Sequence, residues 1–269
     1  MMGLRLLWLL LSLTCAGLVR AQEAWNLLYR TEGQIRFLAV DPLQQLYVVT
    51  PDNAVWKYDA EGHLQYRFNN NTLGNLALLD VRDPFNVVLY YPEFQRILIL
   101  DRTLNVQQTY NLWETGLYRP PVVCLSADHQ LWVYDEVSFR LRKLDRQGRI
   151  ILESEDVNLW WRRTPAPSAL LVWQQQVLLY DPAEGLYVFD NFGQLQQHIP
   201  EKGFDSVSFS GREELVVTRE GRWYLWELRS GQLRPLKLPE GLVGQPALRY
   251  YDKRLYIPDS AGVAIWRHQ

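Results

Sequence analysis

Leu46-Tyr47-Val48-Val49, Val55-Trp56-Lys57-Tyr58, Asp59-Ala60-Glu61-Gly62 and Leu64-Gln65-Tyr66-Arg67-Phe68 follow one another in a single short stretch. The first, second and fourth are rich in β-branched and aromatic residues, the composition of short strands. The third is a turn. Asp opens it through its side chain, and Gly supplies the positive φ that a tight hairpin needs. The stretch therefore predicts two apolar strands, a hairpin and a more polar outer strand.

The same unit recurs along the chain. Its second strand begins at residues 46, 87, 131, 177, 215 and 255, so the repeat is 38 to 46 residues long. A third strand follows each: Val55–Tyr58, Ile97–Leu100, Leu141–Leu144, Leu186–Phe189, Tyr224–Trp226 and Val263–Trp266. Five carry an acid at or after their end, namely Asp59, Asp101, Asp145, Asp190 and Glu227. Four continue to a glycine: Gly62, Gly148, Gly193 and Gly231. Outer strands are expected at Leu64–Phe68, Val106–Tyr110, Ile150–Glu153, Leu195–Ile199 and Leu233–Leu236. Pro235 suits an outermost edge, where no N–H is needed. Short apolar inner strands are read at Phe37–Val40, Leu76–Leu79, Val122–Leu125, Ala169–Val172, Val207–Phe209 and Ala247–Tyr250.

Four strands in each unit of about 40 residues predict an all-β, six-bladed β-propeller of four-stranded antiparallel blades. The ends fit closure. The sixth unit stops at Gln269 after its third strand, and Trp25–Arg30 is a spare strand ahead of the first. Pairing the two completes the last blade and removes two open sheet edges. The domain reading is a signal peptide over residues 1–21 and one propeller over residues 22–269.

The aromatic-Asp-x-x-Gly turns, Tyr58-Asp59-Ala60-Glu61-Gly62 and Phe189-Asp190-Asn191-Phe192-Gly193, resemble those of the NHL-like and TolB-like six-bladed propellers. The resemblance spans nearly all of the mature chain and is specific for fold, not activity. The cleavage site ahead of Gln22 looks like that of proteins exported by Bacteroidota. Asp205-Ser206-Val207 and Asp259-Ser260-Ala261 are similar to the short O-glycosylation motif of that phylum. Asn70-Asn71-Thr72 fits an N-glycosylation acceptor, which matters only in a eukaryotic secretory pathway.

The N-terminus has the order of an export signal. Arg5 is followed by the apolar Leu6–Leu13, and Val19-Arg20-Ala21 offers a cleavage site before Gln22. The apolar run is short for a membrane span, and no later segment matches it. An exported chain is expected, held in the periplasm, at the outer membrane or released. Cys15 provides a poor lipobox, preceded by Ser12, Leu13 and Thr14. Once the leader is removed, Cys124 is the sole cysteine, so no internal disulfide is expected. Its apolar setting, Val122-Val123-Cys124-Leu125, reads as a buried thiol rather than a nucleophile.

With a net charge of −2 and a pI of about 6.1, the 269-residue chain has no global basic field, which argues against a nucleic-acid partner. Its 11 Trp and 15 Tyr favour packed sheets and an aromatic recognition surface. Propellers place their sites on the face that carries the loops between blades and the loops joining second and third strands. On that face, Asn158-Leu159-Trp160-Trp161-Arg162-Arg163-Thr164-Pro165 is the most distinctive segment. Paired Trp and paired Arg have the composition of a recognition hot spot. Two roles suit it: exposed contact residues, or Trp160 and Trp161 tucked between blades. Trp113, Tyr118 and Arg119 occupy the preceding inter-blade loop.

Loop carboxylates Asp52, Asp135, Asp181 and Asp259 are weak candidates for calcium, which similar folds hold with Asp, Asn and Glu oxygens. Asp also abounds in loops simply because it makes turns. His63, His129, His198 and His268 lack zinc-ligand spacing. No phosphate loop, nucleophile elbow or triad is present. The favoured expectation is a non-catalytic protein-binding scaffold of the bacterial cell envelope, in a secretion or outer-membrane assembly, with no cofactor. The alternatives are a calcium-dependent lactonase- or lyase-like enzyme, and a glycan-binding propeller using Trp and Tyr faces.

Overall fold

The computed structural model describes residues 25–160, 163–211, 214–239, 242 and 248–268. Residues 1–21 and the inner-strand position Ala247 therefore lie outside the described residues. After an initial strand β1 (Trp25–Glu32), the first blade is β2 (Phe37–Val40), β3 (Leu46–Val49), β4 (Val55–Tyr58) and β5 (Leu64–Phe68). The second is β6 (Leu78–Asp80), β7 (Val87–Tyr91), β8 (Arg96–Leu100) and β9 (Val106–Asn111). A one-turn helix, α1 (Leu112–Thr115), precedes the third, β10 (Val123–Leu125), β11 (Leu131–Asp135), β12 (Arg140–Leu144) and β13 (Ile150–Glu153). The fourth is β14 (Ala169–Trp173), β15 (Gln176–Asp181), β16 (Gly185–Phe189) and β17 (Leu195–Ile199). The fifth is β18 (Ser206–Phe209), β19 (Glu214–Arg219), β20 (Arg222–Glu227) and β21 (Leu233–Pro235). The sixth is β22 (Arg249–Tyr251), β23 (Arg254–Pro258) and β24 (Gly262–His268).

All sheets are four-stranded and antiparallel, and the sixth takes β1 as its outer strand. The pairing runs from Trp25 opposite His268 to Glu32 opposite Gly262, with a bulge between Leu27 and Tyr29. The predicted six-bladed propeller and its closure by the N-terminal strand are thus both present. Pro235 lies on the outermost strand of blade five, opposite Tyr224, where the missing N–H breaks no ladder.

The apolar core is divided into six wedges, one between each pair of neighbouring blades. Val49, Val55, Leu89 and Leu98 fill the wedge of blades one and two, and Trp132, Leu141, Leu179 and Phe189 that of blades three and four. The ring closes through Leu38, Tyr58, Tyr256 and Ile265 between blades one and six. A strand buried on both faces reads as continuously apolar. This is why the second and third strands carry so little polar alternation.

Buried lysines add ties between blades. Lys57 on β4 crosses the Tyr47 ring at 5.1 Å and donates to the Arg102 carbonyl of blade two at 2.8 Å. Lys143 on β12 does the same over Trp132 at 5.4 Å, donating to Asp128 at 2.7 Å and to Asn191 of blade four at 3.0 Å. Burial lowers the Lys57 pKa, a cost offset in part by Asp41.

The acid-x-x-Gly hairpins behave as turn chemistry. Asp59 accepts from the backbone N–H of Glu61 at 3.1 Å and of His63 at 2.8 Å. Asp145 and Asp190 repeat the pattern at 2.8 to 2.9 Å. In blade two the glycine position is Leu104, at φ 64°. Its side chain is 3% exposed within the wedge of blades one and two, so burial offsets the left-handed strain. The usual substitution order should invert there. Leu104→Ala loses the side chain and keeps the strain. Leu104→Gly loses both and should be the more stable of the two by about 1 kcal/mol. Each should fall about 2–4 kcal/mol below the wild type in urea denaturation.

Candidate functional site

The loops between blades share a face with the loops joining second and third strands. The Val157 N–H donates to the Phe139 carbonyl at 2.8 Å, and Leu112 to that of Gln95 at 3.0 Å. On this face the structure brings together an aromatic group at the junction of blades two and three. Trp113 and Tyr118 meet edge to face at 5.7 Å, and the Arg119 guanidinium lies 5.6 Å from the Tyr118 ring centre. Helix α1 ends at Gly116, whose φ of 73° reverses the chain and returns Tyr118 to Trp113.

Gln95, 1% exposed, holds this group from below. In the amide orientation that satisfies both neighbours, its nitrogen donates to the Leu117 carbonyl at 3.1 Å. Its oxygen accepts from the Trp113 indole N–H at 3.0 Å. Phe94 of blade two, Val137 of blade three and Leu159 in the connection from blade three to blade four are exposed in loops of the same face. Each of these five side chains exposes more than half of its surface. Phe94 and Val137 were not singled out in the sequence, although the loop Tyr91-Pro92-Glu93-Phe94 carries an aromatic in a turn. No periodicity marks such a position.

The second proposed segment divides. Trp160 is partly buried and packs on Phe189 at 6.3 Å in the wedge of blades three and four, the tucked role. Arg163 turns onto the fully buried Asp181 and lies 3.7 Å from Glu184. It is committed to joining the blade-four loops. Trp161 and Arg162 lie outside the described residues.

The four carboxylates considered for calcium do not fit a shared metal site. Asp181 accepts from Arg163 and from the backbone N–H of Ala166 and Ala183, each at 2.8 Å. Asp135 accepts from Ser138 Oγ at 2.6 Å and Val137 N–H at 3.1 Å, with Arg142 at 3.4 Å. Asp259 is held by Arg30 and two backbone N–H groups, and Asp52 accepts from Thr50 Oγ1 at 2.5 Å. Three of these carboxylates already have an arginine as counter-ion. Among the described residues no group of three or more His, Cys, Asp or Glu could hold a metal ion.

The inner strands enclose a central tunnel of about 470 Å³. One inner-strand residue in each blade stands opposite the equivalent position of the second strand (Tyr47, Val88, Trp132, Leu178, Val216 and Tyr256): Ala39, Asp80, Cys124, Leu171, Ser208 and Arg249. They form one level around the axis. All but Cys124 line the tunnel. Asp80 is bound by Arg82 through Nε at 2.8 Å and by the Arg82 backbone N–H at 3.1 Å. Arg82 then reaches across the axis. Its Nη1 donates to the Val172 carbonyl of blade four at 3.3 Å, and its guanidinium lies 5.7 Å from the Phe209 ring of blade five, the blade opposite its own.

Burial alone would raise the Asp80 pKa. The Arg82 guanidinium outweighs it and holds the carboxyl below its usual range. Cys124, fully buried beside this pair, has its thiol pushed up to about 12, chiefly by burial. It stays protonated at neutral pH, which agrees with its reading as an inert core thiol. The Asp80–Arg82 bridge was not anticipated. The inner strand was read as Leu76–Leu79, whereas it spans Leu78–Asp80, because a tunnel wall accepts a charge that is paired in place.

No family description and no curated protein matches the chain. Solved structures do. A catalytically inactive virginiamycin B lyase from Staphylococcus aureus, with quinupristin, superposes with a TM-score of 0.61 at 10% identity, covering 91% of this chain and 100% of that one. The Swd1 β-propeller domain of Myceliophteria thermophila gives 0.59 at 12% identity, over 91% and 100%. BBS1N in complex with ARL6DN gives 0.55 at 12%, over 92% and 97%. At these identities the likeness establishes the fold alone. No helix among the described residues is long and apolar enough to cross a membrane.

Proposed function

We propose that this chain is a non-catalytic, protein-binding scaffold propeller of the bacterial cell envelope, exported by its N-terminal leader and serving in a secretion or outer-membrane assembly. The observation that carries the reading is the apolar arc of Phe94, Trp113, Tyr118, Val137 and Leu159 on the loop face. Large aromatic side chains beside an arginine are the residues on which protein interfaces concentrate binding energy. The buried Gln95 amide fixes the Trp113 indole before any partner arrives, so little side-chain entropy is lost on docking. Asp135, Asp181 and Asp259 are occupied by arginines and backbone N–H groups and Asp52 by the Thr50 hydroxyl, which disfavours the metal-dependent enzyme. BBS1N, a structure of similar fold, was solved in complex with ARL6DN, and in this chain the loop face would receive the partner. The envelope location rests on residues 1–21 and on the likeness to exported Bacteroidota propellers.

The test is crosslinking in source cells followed by recovery from the envelope fraction. Trp113→Ala combined with Tyr118→Ala should weaken partner recovery by at least about 30-fold, the loss expected of a hot-spot residue. Tyr66→Ala, on the outer rim, should leave it unchanged. Equal recovery by the loop variant and the rim variant would remove the arc as the interface.

A further inference from the structure

Among the described residues, the arginine on the tunnel wall of blade six has no carboxylate partner. Asp80 and Arg82 neutralise each other, and Arg82 spans the axis at the level of Val172 and Phe209. Arg249 stands on the wall one level away, on the inner strand of blade six. Among the described residues no carboxylate pairs with it, and its one hydrogen bond is from Nη1 to the carbonyl of the preceding residue, Leu248, at 2.9 Å. The remaining N–H groups of its guanidinium are available. Burial lowers its pKa, with no opposing charge to restore it. A partly buried cation without a counter-ion is poorly stabilised, and an arginine fork is shaped to take a carboxylate through two N–H groups. The tunnel wall on the two neighbouring blades is apolar or neutral: Leu38 and Val40 of blade one, which face blade six, and Val207 and Ser208 of blade five.

We propose that the tunnel is a binding site for a small organic carboxylate, with its carboxylate on Arg249 and its apolar body along the walls of blades one and five. The Ser208 hydroxyl, on the same level, supplies a further donor. The Arg82 bridge forms the floor. The cavity lies within the ordinary range for small-ligand sites.

Hexanoate, hexanol and inorganic phosphate serve as probes, with the melting temperature of the intact protein as readout. Hexanoate at a concentration near ten times its Kd should raise Tm by about 2–4 °C. Hexanol at the same concentration should produce no rise, because it lacks the charge. Phosphate should produce a smaller rise than hexanoate, because it lacks the apolar body. Arg249→Met, similar in length and uncharged, should abolish the hexanoate effect. Ala39→Met leaves Arg249 in place and fills tunnel volume on the adjacent blade; it should abolish the effect independently, which keeps the test decisive if the Arg249 variant fails to fold. A hexanoate shift that survives in either variant, an equal shift from hexanol or phosphate, or no shift in the wild type would overturn the assignment.

Discussion

Replacing Gly262 with valine should open the ring. A Cβ at this position would lie 1.8 Å from the Thr31 carbonyl oxygen and 3.0 Å from the Glu32 Cα, both backbone atoms of β1. Neither can yield without losing the pairing of β1 with β24. Thr31 Oγ1 also accepts from the Val263 N–H at 3.3 Å, and the Gly33 N–H donates to the Ala261 carbonyl at 3.0 Å, so the same clash breaks the start of the closure. The expected loss is about 4 kcal/mol or more, at the severe end for single substitutions. Closure in a propeller removes sheet edges, so the released β1 and β24 would present unpaired N–H and C=O groups. Urea denaturation should show a much lower midpoint, and size-exclusion chromatography should show association. A midpoint within about 1 kcal/mol of the wild type would mean that the closing strand contributes little.

Asp80→Ala should be nearly as damaging for a different reason. It leaves the partly buried Arg82 guanidinium, beside Val172, Phe209 and Cys124, without its carboxylate. Removing one partner of a buried pair costs about 3–5 kcal/mol. Replacing both, Asp80→Leu with Arg82→Met, should recover most of that stability, because two apolar side chains need no counter-ion. The pair also sets an acid limit. The folded Asp80 pKa lies below the unfolded value, so its contribution is complete above about pH 4 and is lost as pH falls through the folded value. Urea midpoints measured between pH 6 and pH 2 should therefore fall more steeply for the wild type than for the double variant. Parallel slopes would show that the bridge carries no linkage.

The sequence carried the ring and missed much of what lies on its axis. Leu46-Tyr47-Val48-Val49 and its five counterparts are buried on both faces, so their apolar runs survive as an audible repeat even without a shared motif. Trp25–Arg30 was legible because an unpaired strand needs a partner and only the last blade lacked one. The helix α1 was read as loop: four residues with no side-chain cap leave no helical period. Asp52, Asp135, Asp181 and Asp259 looked alike as letters. Their difference lies in which arginine or backbone N–H each one meets, and that is fixed by three-dimensional placement alone. Trp160 and Trp113 pose the same difficulty. Both are tryptophans in inter-blade loops, yet one fills a wedge against Phe189 and the other stands on the face beside Tyr118. Arg249 was placed in its strand correctly, but the lack of a carboxylate beside it among the described residues is defined by what surrounds it in three dimensions.

The strand that begins the ring is also the one that finishes it, and its mate is made after the other strands of the ring. A ribosome releases Trp25 through Glu32 more than two hundred residues before Gly262 through His268 exist. Throughout that interval Leu27 and Leu28, exposed even in the finished ring, have no sheet to join. Five blades can fold in order as they emerge, while the sixth waits for β24. A nascent chain arrested between β23 and β24 would therefore hold five finished blades and still lack the fastening, a state that quality-control proteases could distinguish from the native protein by its unpaired β1 ribbon.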